Sequence, residues 1–174
     1  MLLTKKIGTL DLMKIDQRKV DFIFLEWHET RKRILSKQTA GGREISLKFL
    51  NENPELTQGD VLYEDESAIV AVSVMPCSCI VIKPTSMFEM ASVCYEIGNK
   101  HLPLFYEDDM LLVPFDVPLM KLLQAQGYDV KEENKKLLQP LKTTVAPHGA
   151  GSNSLFTKIM KLTNPSPPTP QRGD

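Results

Sequence analysis

Long hydrophobic runs and an excess of one charge are both missing from this 174-residue sequence. The longest uncharged stretch, residues 68–82, contains Pro76 and falls short of the roughly 20 apolar residues that a membrane-spanning helix needs. The 21 Lys and Arg residues nearly balance the 22 Asp and Glu residues, so we expect no general basic surface for binding phosphates. These absences argue against a membrane protein and against nucleic acid as a partner.

Cysteine is also scarce, since Cys77, Cys79 and Cys94 are the only three. Three cysteines do not make a disulfide framework. Lys5 and Lys6 follow the first residues too closely to leave room for the apolar core of a signal peptide. We therefore expect the protein to work in a reducing cytoplasm, and its 42% hydrophobic and 25% charged residues are typical of a soluble globular protein.

The first part of the chain carries β-strand patterns. Residues 45–49 alternate between apolar and polar side chains, as a half-buried strand requires. The glycine pair at 41–42 lies between this segment and residues 31–35, which predicts a hairpin. Two further β-type runs are found at 20–27 and 61–74. We expect residues 1–75 to form a small all-β domain.

A helix is predicted soon after Pro76. Apolar residues spaced three and four apart, from Met87 to Ile97, mark one helix face. Thr85 or Ser86 can cap its start, and Gly98 followed by Asn99 is a typical helix stop. His101 is therefore expected just past a helix end, where a histidine also serves as a cap or a surface residue. The candidate cap residues and stop residues are all local signals in the sequence.

The elements around this helix predict an α+β domain. An apolar run at 79–82 precedes the helix, a hairpin with an acidic turn at 107–109 follows it, and a short helix over 118–126 leads to a last strand. The order β-α-β-β-α-β predicts a ferredoxin-like domain over residues 76–142. Residues 143–174 are expected to be a flexible segment with a proline-rich disordered tail.

Two patterns resemble catalytic sites but lack a necessary member. His28 and Glu29 match the start of a zinc-protease helix, but position 32 is Lys where the second His ligand is required. We interpret His28 as a structural or surface residue. Cys94 and His101 could form a nucleophile and its base, but seven residues of helix separate them by about 10 Å. We interpret Cys94 as a core residue.

The pair Cys77 and Cys79 has two open interpretations. On a strand, both sulfurs point to one face, where they could hold a soft metal or simply pack. No second cysteine pair completes a tetrahedral set, which favours packing.

Several segments carry a family resemblance. Residues 97–103 read Ile-Gly-Asn-Lys-His-Leu-Pro, and the first half contains Leu-Glu-Trp at 25–27, Gly-Arg-Glu-Ile at 42–45 and Leu-Thr-Gln-Gly-Asp-Val-Leu at 56–62. The first of these is similar to the Gly-Asn-Arg-His signature of UreE, the nickel metallochaperones among the urease accessory proteins, with Lys100 in place of Arg. The resemblance extends to about residue 142.

The resemblance implies a metal site. It makes His101 the central Ni²⁺ ligand at a homodimer interface where two copies face one ion, with Zn²⁺ and Cu²⁺ as alternative ions. It also implies a second ligand in the C-terminal segment, where His148 is the only candidate. Many relatives store metal in a histidine-rich tail, whereas residues 164–174 contain no His.

The resemblance further implies a function without catalysis. The protein would deliver nickel to apo-urease with the UreG GTPase and the accessory proteins UreF and UreD/UreH, and its first domain would dock partners. One rival hypothesis is a client-binding cochaperone or interaction module with an incidental metal site. The other rival, a small Cys/His hydrolase, lacks a catalytic triad within reach.

Overall fold

The first part of the chain forms two β-sheets, as its alternating side chains predict. The structure is a computed structural model and describes residues 1–50 and 53–141. The strands are β1 (Leu2–Leu3), β2 (Gly8–Thr9), β3 (Lys19–Leu25), β4 (Ile34–Gln38), β5 (Glu44–Lys48), β6 (Asp60–Glu64) and β7 (Ala68–Val74). One sheet has the strand order β1-β5-β4 and the other has the order β2-β6-β7-β3.

The hairpin predicted at the glycine pair is confirmed. Strands β4 and β5 are antiparallel, with Gln38 opposite Glu44. Gly42 has a φ of +84°, a left-handed conformation that favours glycine. The inward residues of the hairpin pack against the second sheet to make the core, which includes Ile23, Leu25, Ile45, Leu47, Phe49, Val70 and Val72. The N-terminal part is therefore β-rich.

Asp21 fastens this hairpin to strand β3. Its carboxylate is buried and accepts hydrogen bonds from the Thr39 hydroxyl (2.6 Å) and from the Gly41 amide (2.8 Å). Burial acts to raise the pKa of Asp21, but these hydrogen bonds and the charge of Arg43 together lower it. A Cβ added at Gly41 would lie 2.9 Å from the carboxylate, so the close approach requires glycine.

We expect Asp21→Ala to destabilise the protein by about 2 kcal/mol, because it leaves two donors without their charged acceptor. Since the folded pKa is lowered, the contribution is complete above the usual carboxyl pKa of about 3.9 and is lost as pH falls further. Urea denaturation at pH 7 measures the effect, with the exposed Asp11→Ala as the control. Equal stability of the two variants would contradict the role of Asp21.

The second part of the described chain combines strands with helices. The elements are β8 (Cys77–Ile82), α1 (Met87–Asn99), β9 (Phe105–Glu107), β10 (Met110–Pro114), α2 (Val117–Ala125) and β11 (Val130–Lys135). The chain order is strand, helix, two strands, helix and strand, as predicted. The sheet has the order β11-β8-β10-β9, and all neighbouring strands are antiparallel.

The two faces of this sheet carry different residues. Both helices pack on one face, where the core includes Ile80, Ile82, Val93, Ile97, Val113, Leu119 and Leu123. On the other face, Trp27 from the β-rich part meets Phe105 edge to face, with their ring centroids 5.8 Å apart. The two parts thus share an aromatic contact within residues 1–141.

No helix in the described part of the chain is long and apolar enough to cross a membrane. The predicted flexible segment and tail, 143–174, lie outside the described residues.

Candidate metal centre

Helix α1 positions the candidate metal ligand, and its start is fixed by both predicted cap residues. The Ser86 hydroxyl accepts from the amide of Glu89 (3.2 Å), and the Glu89 carboxylate accepts from the amide of Thr85 (2.7 Å). This pair resembles a capping box, except that the carboxylate accepts from the residue before the N-cap, Thr85, instead of from Ser86 itself. Val93 and Ile97 on the inner face are fully buried. The helix therefore has a defined start and a defined rotation against the sheet.

Helix α1 ends at Asn99, which confirms the predicted stop at Gly98 and Asn99 and the place of His101 just past the helix end. The residue with left-handed backbone is His101, at a φ of +55°, and not Gly98. The His101 amide donates to the carbonyl of Gly98 (3.0 Å), and the Leu102 amide donates to the carbonyl of Ile97 (3.3 Å). These two bonds form a Schellman motif, in which the left-handed position usually holds glycine.

Helix α2 ends in the same motif with the usual residue. The Gly127 amide donates to Gln124 (3.0 Å), the Tyr128 amide donates to Leu123 (3.1 Å), and Gly127 has a φ of +80°. His101 occupies the position that glycine occupies in α2. A residue with a Cβ is strained there by about 1–2 kcal/mol, although histidine tolerates the region better than most residues. Strain of this kind is typical of functional positions.

The His101 side chain is exposed at the carboxyl end of the helix. The helix dipole concentrates negative potential at this end, which favours a bound cation by about 0.3–1 kcal/mol. Within residues 1–50 and 53–141, no three His, Cys, Asp or Glu side chains are grouped closely enough to hold a metal ion. The described residues alone therefore do not provide three such ligands around His101.

An apolar stripe leads along the outer face of α1 to His101. Phe88 is 79% exposed and Tyr95 is 71% exposed, with Ala91 between them and Gly98 beyond them. The spacing of three, four and three residues places all four on one helix face. Phe88, Ala91 and Tyr95 also line a groove of about 510 Å³ that extends to α2. Large apolar side chains exposed in a row are typical of an interaction surface.

Gly98 borders open space, because no atom of the described structure lies within 4 Å of the position that a Cβ would take there. Its backbone is helical, so the turn does not require glycine there. Glycine inside a helix is about 0.5–1 kcal/mol less favourable than alanine. No contact within the described structure therefore requires glycine at this position.

His148, the other predicted ligand, lies outside the described residues. The last described residue, Leu141, donates its amide to the carbonyl of Leu104 (2.7 Å), and Pro140 bridges to Phe105. The last described residue is therefore bonded to Leu104, which follows His101 by three residues in the sequence.

The predicted one-sided placement of Cys77 and Cys79 is confirmed, because both pack in the cluster on the face of β8 that meets Trp27. Burial, followed by the Glu26 carboxylate, raises the pKa of the Cys77 thiol. Burial, followed by Cys77, raises the pKa of the Cys79 thiol to about 11. Thiols that resist deprotonation are poor metal ligands, so the packing interpretation is favoured.

Replacing Cys77 and Cys79 together with serine is expected to leave nickel affinity within about threefold of the original value, or roughly 0.7 kcal/mol. The reason is that the pair faces Trp27 and lacks further ligands in the described structure. Calorimetric titration with Ni²⁺ checks this expectation. A loss of more than about tenfold would show that the pair contributes to the site.

His28 lies in a turn that follows β3, and not in a helix. Its ring contacts Trp27 edge to face, with centroids 5.4 Å apart, and its Nδ1 lies 3.4 Å from a Glu26 carboxylate oxygen. The interpretation of His28 as a structural or surface residue is confirmed. Cys94 packs against the helix core, whereas His101 is exposed, so the structure does not form a Cys/His catalytic pair.

Comparison with known families gives two matches. The family described as "UreE urease accessory protein, N-terminal domain" matches residues 3–75. The family described as "UreE urease accessory protein, C-terminal domain" matches residues 77–153, a range that includes His101 and His148.

Individual relatives agree with this result. The chain is 44% identical over 163 residues to the urease accessory protein UreE of Flavobacterium johnsoniae, covering 93% of this chain and 99% of the relative. It is 41% identical over 136 residues to the protein of that name from Acetivibrio thermocellus, covering 78% and 86%. It is 36% identical over 154 residues to that from Helicobacter pylori, covering 85% and 89%.

Proposed function

This chain belongs to the UreE family of urease accessory proteins, and we propose that it binds nickel and delivers the ion to apo-urease during maturation of the urease active site. The observation that carries the proposal is His101, an exposed imidazole held in a left-handed position at the end of a helix. Imidazole nitrogen suits Ni²⁺, and it also suits Zn²⁺ and Cu²⁺ as alternative ions.

We propose that two copies of the chain share one ion. The described part of the chain groups no further ligands with His101, and a second copy would supply a second imidazole, which supports this proposal. The apolar stripe of Phe88, Ala91, Tyr95 and Gly98 ends at His101 and gives the two copies a surface on which to meet. Gly98 allows the partner backbone to approach closely. The interface and the metal site are thus parts of one surface.

We propose His148 as an additional ligand. It follows Leu141 by seven residues, which span at most about 25 Å. His101 precedes Leu104, the residue that binds the Leu141 amide, by three residues or at most about 11 Å. The segment is therefore long enough to bring His148 to the exposed end of α1. A ligand on a long connection pays an ordering cost and so holds the ion less tightly, which suits a protein that must release it.

The wider assignment follows the family. We propose the UreG GTPase, UreF, UreD/UreH and apo-urease as partners, with the β-rich domain as a docking module. Three free thiols are in keeping with the cytoplasm as its location. The sheet order β11-β8-β10-β9 supports a ferredoxin-like class for the second domain, for which we propose the bounds 76–142. We assign the protein no catalytic residue.

Urease activation tests the proposal directly. Apo-urease with its other accessory proteins is mixed with the nickel-loaded protein, in the presence of a chelator that holds free Ni²⁺. We expect urease activity to appear with the loaded protein and to be absent with an equal amount of nickel added to the chelator alone. Activation that is the same with and without the protein would contradict a delivery role.

A further inference from the structure

Leu102, which follows the metal ligand, is tied to the helix in two ways. Its amide donates to the Ile97 carbonyl (3.3 Å), the longer of the two bonds in the Schellman motif. Its side chain is half-buried and packs against the helix core, which includes Ile97 itself. A hydrophobic contact between these two positions commonly accompanies the motif.

These contacts explain how a histidine keeps a left-handed backbone. The conformation is unfavourable for a residue with a Cβ, so it persists only when the surrounding structure holds it. The exposed side chain of His101 is not packed in the core, and its backbone is held through the amide bond to the Gly98 carbonyl. On its N-terminal side, α1 is fixed by the buried residues Val93 and Ile97. On its C-terminal side, the nearest anchored side chain is Leu102.

We propose that Leu102 is the positioning residue for the nickel ligand. Its anchor in the helix core fixes the backbone of His101, so that the imidazole is held at its exposed position by the helix end before an ion arrives. This inference rests on the proposed function of His101. Positioning in advance improves affinity, since the ligand then loses less conformational freedom on binding.

The chain offers a matched control in Leu104. It is also a leucine, half-buried and packed against the same core, and it follows His101 by three residues. Replacing its side chain leaves its main-chain carbonyl, which binds the Leu141 amide, in place. Its amide takes no part in the Schellman motif, and it follows the motif by two residues. Truncating Leu104 therefore removes comparable packing without releasing the backbone of His101.

The experiment compares Leu102→Ala with Leu104→Ala by calorimetric titration with Ni²⁺ at a temperature where both variants are folded. We expect Leu102→Ala to lower nickel affinity about tenfold and Leu104→Ala to lower it less than about twofold. Leu102→Met keeps an apolar anchor and is expected to restore affinity to within about twofold. Exchange of the Leu102 amide hydrogen should become faster in Leu102→Ala and stay slow in Leu104→Ala.

Equal effects of the two alanine variants on nickel affinity would overturn the proposal, as would unchanged affinity in Leu102→Ala. Failure of the methionine variant to restore affinity would also overturn it. These outcomes differ from failure of the proposed function, which would show as weak nickel binding in the unmodified protein.

Discussion

Replacing His101 with glycine is expected to abolish tight nickel binding while leaving the fold at least as stable as before. The substitution removes the exposed imidazole, and we expect affinity to fall by at least about 100-fold, or roughly 2.7 kcal/mol. Glycine adopts a φ of +55° without strain, so the free energy of unfolding should stay equal or rise by up to about 1 kcal/mol. Calorimetric titration and urea denaturation measure the two quantities.

A matched control exists in the second helix, where Gly127 occupies the equivalent position. Gly127→Ala introduces strain at a φ of +80° and should lower stability by about 1 kcal/mol without changing nickel affinity. His101→Ala should lose nickel binding as the glycine variant does, but it should be less stable than that variant by a similar amount. Tight nickel binding in either His101 variant would return His101 to a purely structural role.

Tyr95→Glu is expected to separate the proposed homodimer and to remove the proposed shared nickel site with it. Tyr95 is 71% exposed in the middle of the apolar stripe, so a negative charge there costs little in a single chain. In a dimer the same charge would be buried in an apolar interface without an opposite charge to pair with, which is strongly unfavourable. We expect dissociation to monomers at micromolar concentration, measured by analytical ultracentrifugation.

Leu12→Glu is the control for this second result. Leu12 is 89% exposed in the β-rich part, so the variant adds the same charge at an exposed apolar position that the proposed interface does not include. It should remain dimeric and bind nickel normally. A Tyr95→Glu protein that stays dimeric, or one that becomes monomeric and still binds nickel tightly, would contradict a site shared across this face.

Local chemistry made much of the fold predictable. The hairpin at 41–42 follows from a glycine pair between alternating segments, and the start of α1 follows from Ser86 and Glu89 at capping-box spacing. Such signals act within a few residues, so they can be read from sequence alone.

The left-handed residue after α1 was not predictable in the same way. Gly98 and Asn99 look like a stop, and α1 does end at Asn99, but the left-handed residue is His101 and not Gly98. Leu102, the next residue, closes the motif by packing into the core. That contact joins residues from several elements, which a local pattern does not contain. Tertiary packing therefore set the left-handed position, which the local glycine signal did not.

The candidate site shows a similar division. The family resemblance indicated His101 as the candidate ligand, whereas its left-handed backbone became visible only in the structure. The exposed stripe of Phe88, Ala91 and Tyr95 has helical spacing that the sequence contains. It was missed because α1 also carries an apolar face toward the core, and periodicity does not show which face is covered.

The central claim is that two chains share one nickel ion through His101, and its most direct test is the stoichiometry of tight binding. Apo-protein of known oligomeric state is titrated with Ni²⁺ in a calorimeter at pH 7.5. We expect one tightly bound ion for two chains. One independent tight ion for each chain would contradict the shared site.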